Sequence, residues 1–140
     1  MSDPPVSDTT DPLAGARLPF ASHCGIELVE TAPERVVGRV PWTEDGCTTG
    51  GILHGGLLMT LADTVGAVCA FLNLPEGAAG TATIESKTNF CRPVSSGAAT
   101  ATAVPIHTGR TTILVQTRVE DDQGRLVALT TQTQAVLAAR

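Results

Sequence analysis

GGILHGGLLMTLAD, residues 50–63, runs from a glycine-rich loop through one histidine into an almost unbroken aliphatic segment that ends on a carboxylate. An unpaired buried charge is costly, so an aspartate set in an apolar helix needs compensating partners or a chemical task. The apolar pattern continues to Leu74: HGGLLMTLADTVGAVCAFLNL predicts a helix of about five turns, ended by PEGAAG at 75–80. On a helical wheel Gly56, Met59, Thr60, Asp63, Gly66, Ala67 and Ala70 form one stripe at three- and four-residue steps. Leu57, Leu58, Leu61, Val65, Val68 and Leu72 take the bulkier remainder. A stripe of small residues predicts that a second helix or a slender ligand approaches the helix closely there.

Either side of this helix the periodicity changes to that of strands. CGIELVET (24–31) and ERVVGRVPW (34–42) precede it, separated from it by the polar loop TEDGCTTGG (43–51). TATIESKTNF (81–90), GAATATAVPI (97–106), TTILVQTRV (111–119) and RLVALTTQTQAVL (125–137) follow it. EDDQG (120–124) is a hairpin turn with Gly124 free to take positive φ, and Pro105 marks a bulge or an edge. Two strands, one long helix and four strands predict an α+β fold: a predominantly antiparallel sheet wrapped on a central helix. No internal repeat, P-loop, GxGxxG or GxSxG motif interrupts it.

The whole chain bounds the function. Its 140 residues suit one domain, expected over 18–140 after a flexible arm at 1–17 rich in Asp, Pro, Ser and Thr. A net charge of −5 argues against nucleic acid as the main partner. The first residues show neither the positive n-region nor the apolar h-region of a secretory signal, and no uninterrupted apolar run reaches membrane-spanning length. Cys24, Cys47, Cys69 and Cys91 form no CxxC pair, and His23, His54 and His107 do not fall at zinc-ligand spacings beside them. We therefore expect no metal site, no membrane partner, reduced and mostly buried thiols, and a cytoplasmic location.

Taken singly, His54, the Gly55–Gly56 pair and Asp63 each have a structural explanation: a helix cap, a tight turn into the helix, a satisfied carboxylate. Together they suggest more. A glycine pair at a helix N-terminus leaves backbone N–H groups unhindered at the positive end of the helix dipole, which suits an oxyanion or a polarised carbonyl. A carboxylate placed elsewhere supplies the base. These are the parts of an acyl hydrolase.

The same residues resemble the hotdog-fold acyl-CoA thioesterases, whose HGG-x6-Asp/Glu signature is similar to HGGLLMTLAD. NFCRPVSSG (89–97) and IHTGRTTILVQTRVEDDQGRL (106–126) extend the likeness to the phenylacetyl-CoA and Arthrobacter-type 4-hydroxybenzoyl-CoA thioesterases, over residues 18–138. The resemblance implies that the Gly55 N–H polarises the thioester carbonyl, that His54 shapes the loop beside it, and that Asp63 attacks the carbonyl or activates a water. It implies a small hydroxyl, Thr83, beside the attacking group, and Arg92, Arg110 and Thr111 at the rim that holds the CoA nucleotide. It implies an acyl-CoA substrate of aryl or arylacetyl type, no cofactor, and a homodimer paired again into a tetramer. Two positions depart from the pattern. Thr48 (or Thr49) stands where many relatives have Asn or Gln, and Ala67 replaces a threonine of the hydroxybenzoyl branch, which favours the phenylacetyl-type group. A hotdog hydratase or dehydratase and a non-catalytic acyl-CoA-binding protein are the alternatives. The former favours a His/Asp or His/Glu arrangement not found here, and the latter should lack the acid on the helix.

Geometry adds one expectation. Eight residues separate Gly55 from Asp63, about 12 Å along a helix, whereas attack on a carbonyl needs roughly 3–3.5 Å. Two antiparallel copies of the helix, each lending Asp63 to the other's Gly55, would resolve the mismatch.

Overall fold

The computed structural model describes residues 18–140; the arm expected at 1–17 lies outside the described residues. In chain order come α1 (Pro19–His23), β1 (Glu27–Ala32), β2 (Arg35–Pro41), α2 (Gly55–Leu72), β3 (Ala78–Phe90), β4 (Ala98–Thr108), β5 (Thr112–Glu120) and β6 (Leu126–Ala138). All strand pairings are antiparallel, and the six strands form one sheet in the order β1-β2-β4-β5-β6-β3. β3 follows α2 in the chain yet among the described residues pairs only with β6, so it forms an edge of the described sheet. This is the hotdog arrangement, one long helix held against an antiparallel sheet.

The core lies between α2 and the sheet. Leu58, Leu61, Ala62, Val65 and Cys69 of the helix pack with Val36 and Val40 of β2, Ala101 and Ala103 of β4, and Ile113, Val115 and Val119 of β5. Small residues on the strands let the helix come close. A Cβ on Gly38 of β2 would collide with Val65 Cγ1, so a larger residue there would push the helix off the sheet. α2 is long and apolar enough to cross a bilayer by composition alone, but the sheet covers one whole side of it.

The hairpin turn forms as the sequence predicts: Gly124 has φ 74°, and Asp121 Oδ1 accepts from Gln123 N and Arg125 N. The bulge expected at Pro105 is present, with the pairing register shifting between Pro105 and His107. Several features differ. β3 begins at Ala78 because Ala78 pairs with Ala138, so PEGAAG ends the helix and also opens the strand. The short α1, started by Pro19, has too few residues for a periodic signal. The thiols are not mostly buried: Cys69 is, Cys24 and Cys47 are half-buried, and Cys91 is exposed. Burial pushes the Cys69 thiol up to about 11, which removes its thiolate character at neutral pH.

The small-residue stripe also divides. Gly66 and Ala70 are buried, and a Cβ on Gly66 would fall on Oε1 of Gln132 in β6. The close approach at Gly66 is therefore made by the chain's own sheet, not by a second helix. A wheel gives the angle between residues but not the arc that the sheet will cover. Gly56, Met59, Thr60, Asp63 and Ala67 stay partly or fully open to the outside.

Candidate active site

The N-terminus of α2 is fixed from both sides. An isolated bridge joins Cys47 to Leu53, and His54 N donates to Gly46 O at 2.9 Å. His54 is the N-cap, extended at φ −60°, ψ 132°, and its Nδ1 accepts from Gly56 N at 2.8 Å. A ring nitrogen that accepts carries no proton, so neutral His54 presents its N–H at Nε2. The Gly55 N–H meets no acceptor among the described residues, as expected of a first-turn donor. Phe90 lies over Gly55, and a Cβ there would sit 3.3 Å from two atoms of the ring. A glycine keeps this N–H approachable.

Asp63 lies two turns further along, on the wall of a hollow of about 560 Å3 whose other walls include Phe20, Met59, Thr60, Ala67, Val68 and Ser86. Its Oδ1 accepts from Gln132 Nε2 at 2.7 Å. The same Nε2 lies 3.5 Å from Thr83 Oγ1, to which Gln134 Nε2 donates at 2.7 Å. Asp63 and Thr83, on different elements, are thus joined through one amide. The Asp63 carboxyl is raised above its ordinary value, chiefly by desolvation, with the Gln132 hydrogen bond pulling the other way. Part of the side chain meets solvent in the isolated protomer, yet the largely apolar walls remove enough water for desolvation to prevail. A second hollow of about 540 Å3 adjoins the helix start, lined by His23, Cys24, Cys47, His54 and Gly56, with Phe20 and Thr60 shared between the two.

The remaining candidates are spread out. Thr48 is exposed in the loop before His54, and its N–H donates to Ile52 O. Arg92 donates from Nη1 to Leu126 O at 3.1 Å, at the start of β6. Arg110 and Thr111 occupy the β4–β5 turn, and Thr111 O accepts from Val136 N near the end of β6. Ten residues of strand separate these two anchor points, roughly 33 Å, so within one protomer Arg92 and Arg110 do not meet. No group of three or more His, Cys, Asp or Glu capable of holding a metal occurs among the described residues.

Sequence reasoning missed Gln132 and Gln134. A signal was present: alternate residues Ala128, Thr130, Gln132 and Gln134 of β6 are all buried, so the helix-facing side of this strand turns from apolar to polar along its length. A strand that places two glutamines in a core is unusual, and they lie beside Asp63 and Thr83.

The sequence profile of the thioesterase superfamily matches residues 50–128, from the glycine loop to β6. The chain belongs to the thioesterase superfamily. It is 34% identical over 113 residues to the Bacillus subtilis protein named "Putative esterase ComA2", covering 81% of this chain and 90% of that one. Its structure is similar to that of the Haemophilus influenzae thioesterase HI1161, with TM-score 0.80, 30% identity, and coverage of 85% and 82% of the two chains. It is also similar to the Escherichia coli PaaI protein from the phenylacetic acid degradation operon, with TM-score 0.78, 25% identity, and coverage of 86% and 85%. Membership of this superfamily places the chain among thioester hydrolases.

Proposed function

We propose that the protein is an acyl-CoA thioesterase that hydrolyses aryl- or arylacetyl-CoA to the free acid and CoA, at a site completed by two subunits. The observation that carries this is Asp63: a hydrogen-bonded, partly desolvated carboxylate on the wall of a mainly apolar hollow. About 560 Å3 falls within the usual range for small-molecule sites, and Phe20, Met59 and Val68 offer an aryl group apolar contact. The likeness to PaaI supports the arylacetyl choice.

Asp63 attacks the thioester carbonyl, or takes a proton from the water that does. The Gly55 N–H, at the positive end of α2, stabilises the oxygen that gains charge. Collapse of the tetrahedral species breaks the C–S bond, and the CoA sulfur leaves and takes up a proton; where Asp63 has attacked, water then hydrolyses the resulting anhydride to the free acid and restores the carboxylate. His54 orders the helix start through Gly56, and Thr83 steadies the carboxylate side through Gln132. Because Gly55 and Asp63 of one helix stand about 12 Å apart, the second subunit supplies the missing partner. The free edge of β3, where Ile84 is 64% exposed and Phe90 53%, suits pairing with a second copy, since unpaired edges are ready-made templates for another strand. In such an antiparallel pair Arg92 of one subunit and Arg110 with Thr111 of the other approach the same site, which reconciles their separation within one chain. The homodimer then pairs again into a tetramer.

A panel of acyl-CoA esters assayed by release of free CoA thiol tests the substrate class. Phenylacetyl- and benzoyl-type esters should show kcat/KM at least tenfold above short straight-chain esters. A flat profile, or no thiol release from any ester, contradicts the assignment. Arg110→Ala should raise KM for CoA esters, most at low ionic strength, with kcat nearly unchanged. A remote phosphate contact binds substrate and transition state alike. Collapse of kcat in this variant would place Arg110 at the chemistry instead.

A further inference from the structure

We propose that Gln132 is the positioning residue of the candidate site, its amide N–H aiming the Asp63 carboxylate into the hollow and favouring the ionised form, with Gly66 kept small to seat that amide. The proposal rests on Asp63 acting as nucleophile or base.

Gln132 is fully buried on the face of β6 that meets α2. The same face of the sheet carries Val115 and Val119 on β5, and an aliphatic residue at 132 would bury more apolar surface with no polar group to satisfy. The glutamine instead leaves its own Oε1 buried without a partner among the described residues, as is Thr117 Oγ1. Both atoms face Gly66: a Cβ there would fall on Gln132 Oε1 and come within 3.6 Å of Thr117 Oγ1. Such a half-satisfied amide is destabilising. What it supplies in return is the 2.7 Å N–H donor to Asp63. The opposite amide orientation would set Oε1 against a carboxylate oxygen, so the charge on Asp63 and the recess at Gly66 together select the observed one.

Among the described residues no charged side chain competes for this role. The groups around Asp63 are Thr60 and Thr64 of α2, Phe20 of α1 and Ser86 of β3, with Gln132 itself from β6. Glu85 and Lys87 flank Ser86 on β3 and are exposed, and alternation along a strand turns them from the face that Ser86 presents. Among the described residues, the hydrogen bond from Gln132 is what opposes desolvation at Asp63. A donor to a carboxylate favours its charged form, so removing that donor makes Asp63 hold its proton to higher pH.

Two variants of the full chain separate positioning from packing. Gln132→Met keeps the length and removes the donor. Gly66→Ala displaces the amide and leaves its chemistry intact. The readouts are the pH profile of kcat/KM and the Asp63 titration followed by 13C-carboxyl NMR, which needs no activity. Both variants should raise the Asp63 midpoint and move the acid limb of kcat/KM upward. The loss should be roughly tenfold on the acid side, shrinking as pH rises. An unchanged midpoint, with activity lowered equally at all pH values, overturns the proposal and leaves Gln132 a packing residue. If the midpoint moves but Asp63→Asn still turns over acyl-CoA at the wild-type rate, Gln132 does govern the carboxylate and the reading of Asp63 as the reacting group is what fails.

Discussion

Asp63→Asn should lower kcat for acyl-CoA hydrolysis by roughly 10²–10⁴-fold while the fold and the binding of CoA esters persist. Asparagine keeps the shape of the side chain, and its amide oxygen can still accept from Gln132 Nε2, so the local packing survives. It can neither take a proton nor form an acyl-enzyme anhydride, so both forms of the mechanism stop. Stability should move the other way. Desolvation holds the Asp63 carboxyl above its ordinary value; such a group contributes stability below its unfolded pKa and loses it as pH rises through the folded one. At neutral pH the ionised carboxylate is therefore a burden that asparagine lacks. The variant should melt above the wild type near pH 7, with the gap closing toward pH 4. Thermal melts at the two pH values, steady-state kinetics and calorimetric binding of a CoA ester check these expectations together. A variant that turns over at near wild-type rate removes Asp63 from the chemistry.

Much of this site is legible in the residues because its parts are local. The N-cap histidine, the glycine pair and the carboxylate belong to one helix, so they are read together, and helical spacing fixes the gap that a second chain would have to bridge. The strands are legible for the same reason: period-two runs bounded by Gly and Pro give β1 through β6 with their ends shifted by a few residues. What stays hidden is non-local. Gln132 meets Asp63 across 69 positions of sequence, and only the pairing order β5-β6-β3 brings Thr83, Gln132 and Gln134 side by side. The stripe through Gly66 misleads on its own, because the same small residues serve whichever neighbour approaches. Here that neighbour is the sheet on one flank and the open hollow on the other. The α1 segment is invisible for a different reason. A five-residue helix carries no periodicity, yet Phe20 forms a wall of both hollows.

The second large effect concerns completion of the site by two chains. Gly55→Pro deletes the N–H that would polarise the carbonyl. Proline is tolerated in the first helical turn, the φ of Gly55 is negative, and His54 already has the extended ψ of 132° that a residue before proline adopts. Gly55→Pro and Asp63→Asn should each give an inactive homodimer. The deciding measurement is the activity of the two variants unfolded together and refolded, with heterodimers counted by native mass spectrometry. A composite site predicts recovery of about a quarter of wild-type activity at random two-fold pairing, because each heterodimer keeps one intact Gly55–Asp63 pair. Heterodimers that form and remain inactive would place the whole site within one chain and contradict the composite assignment.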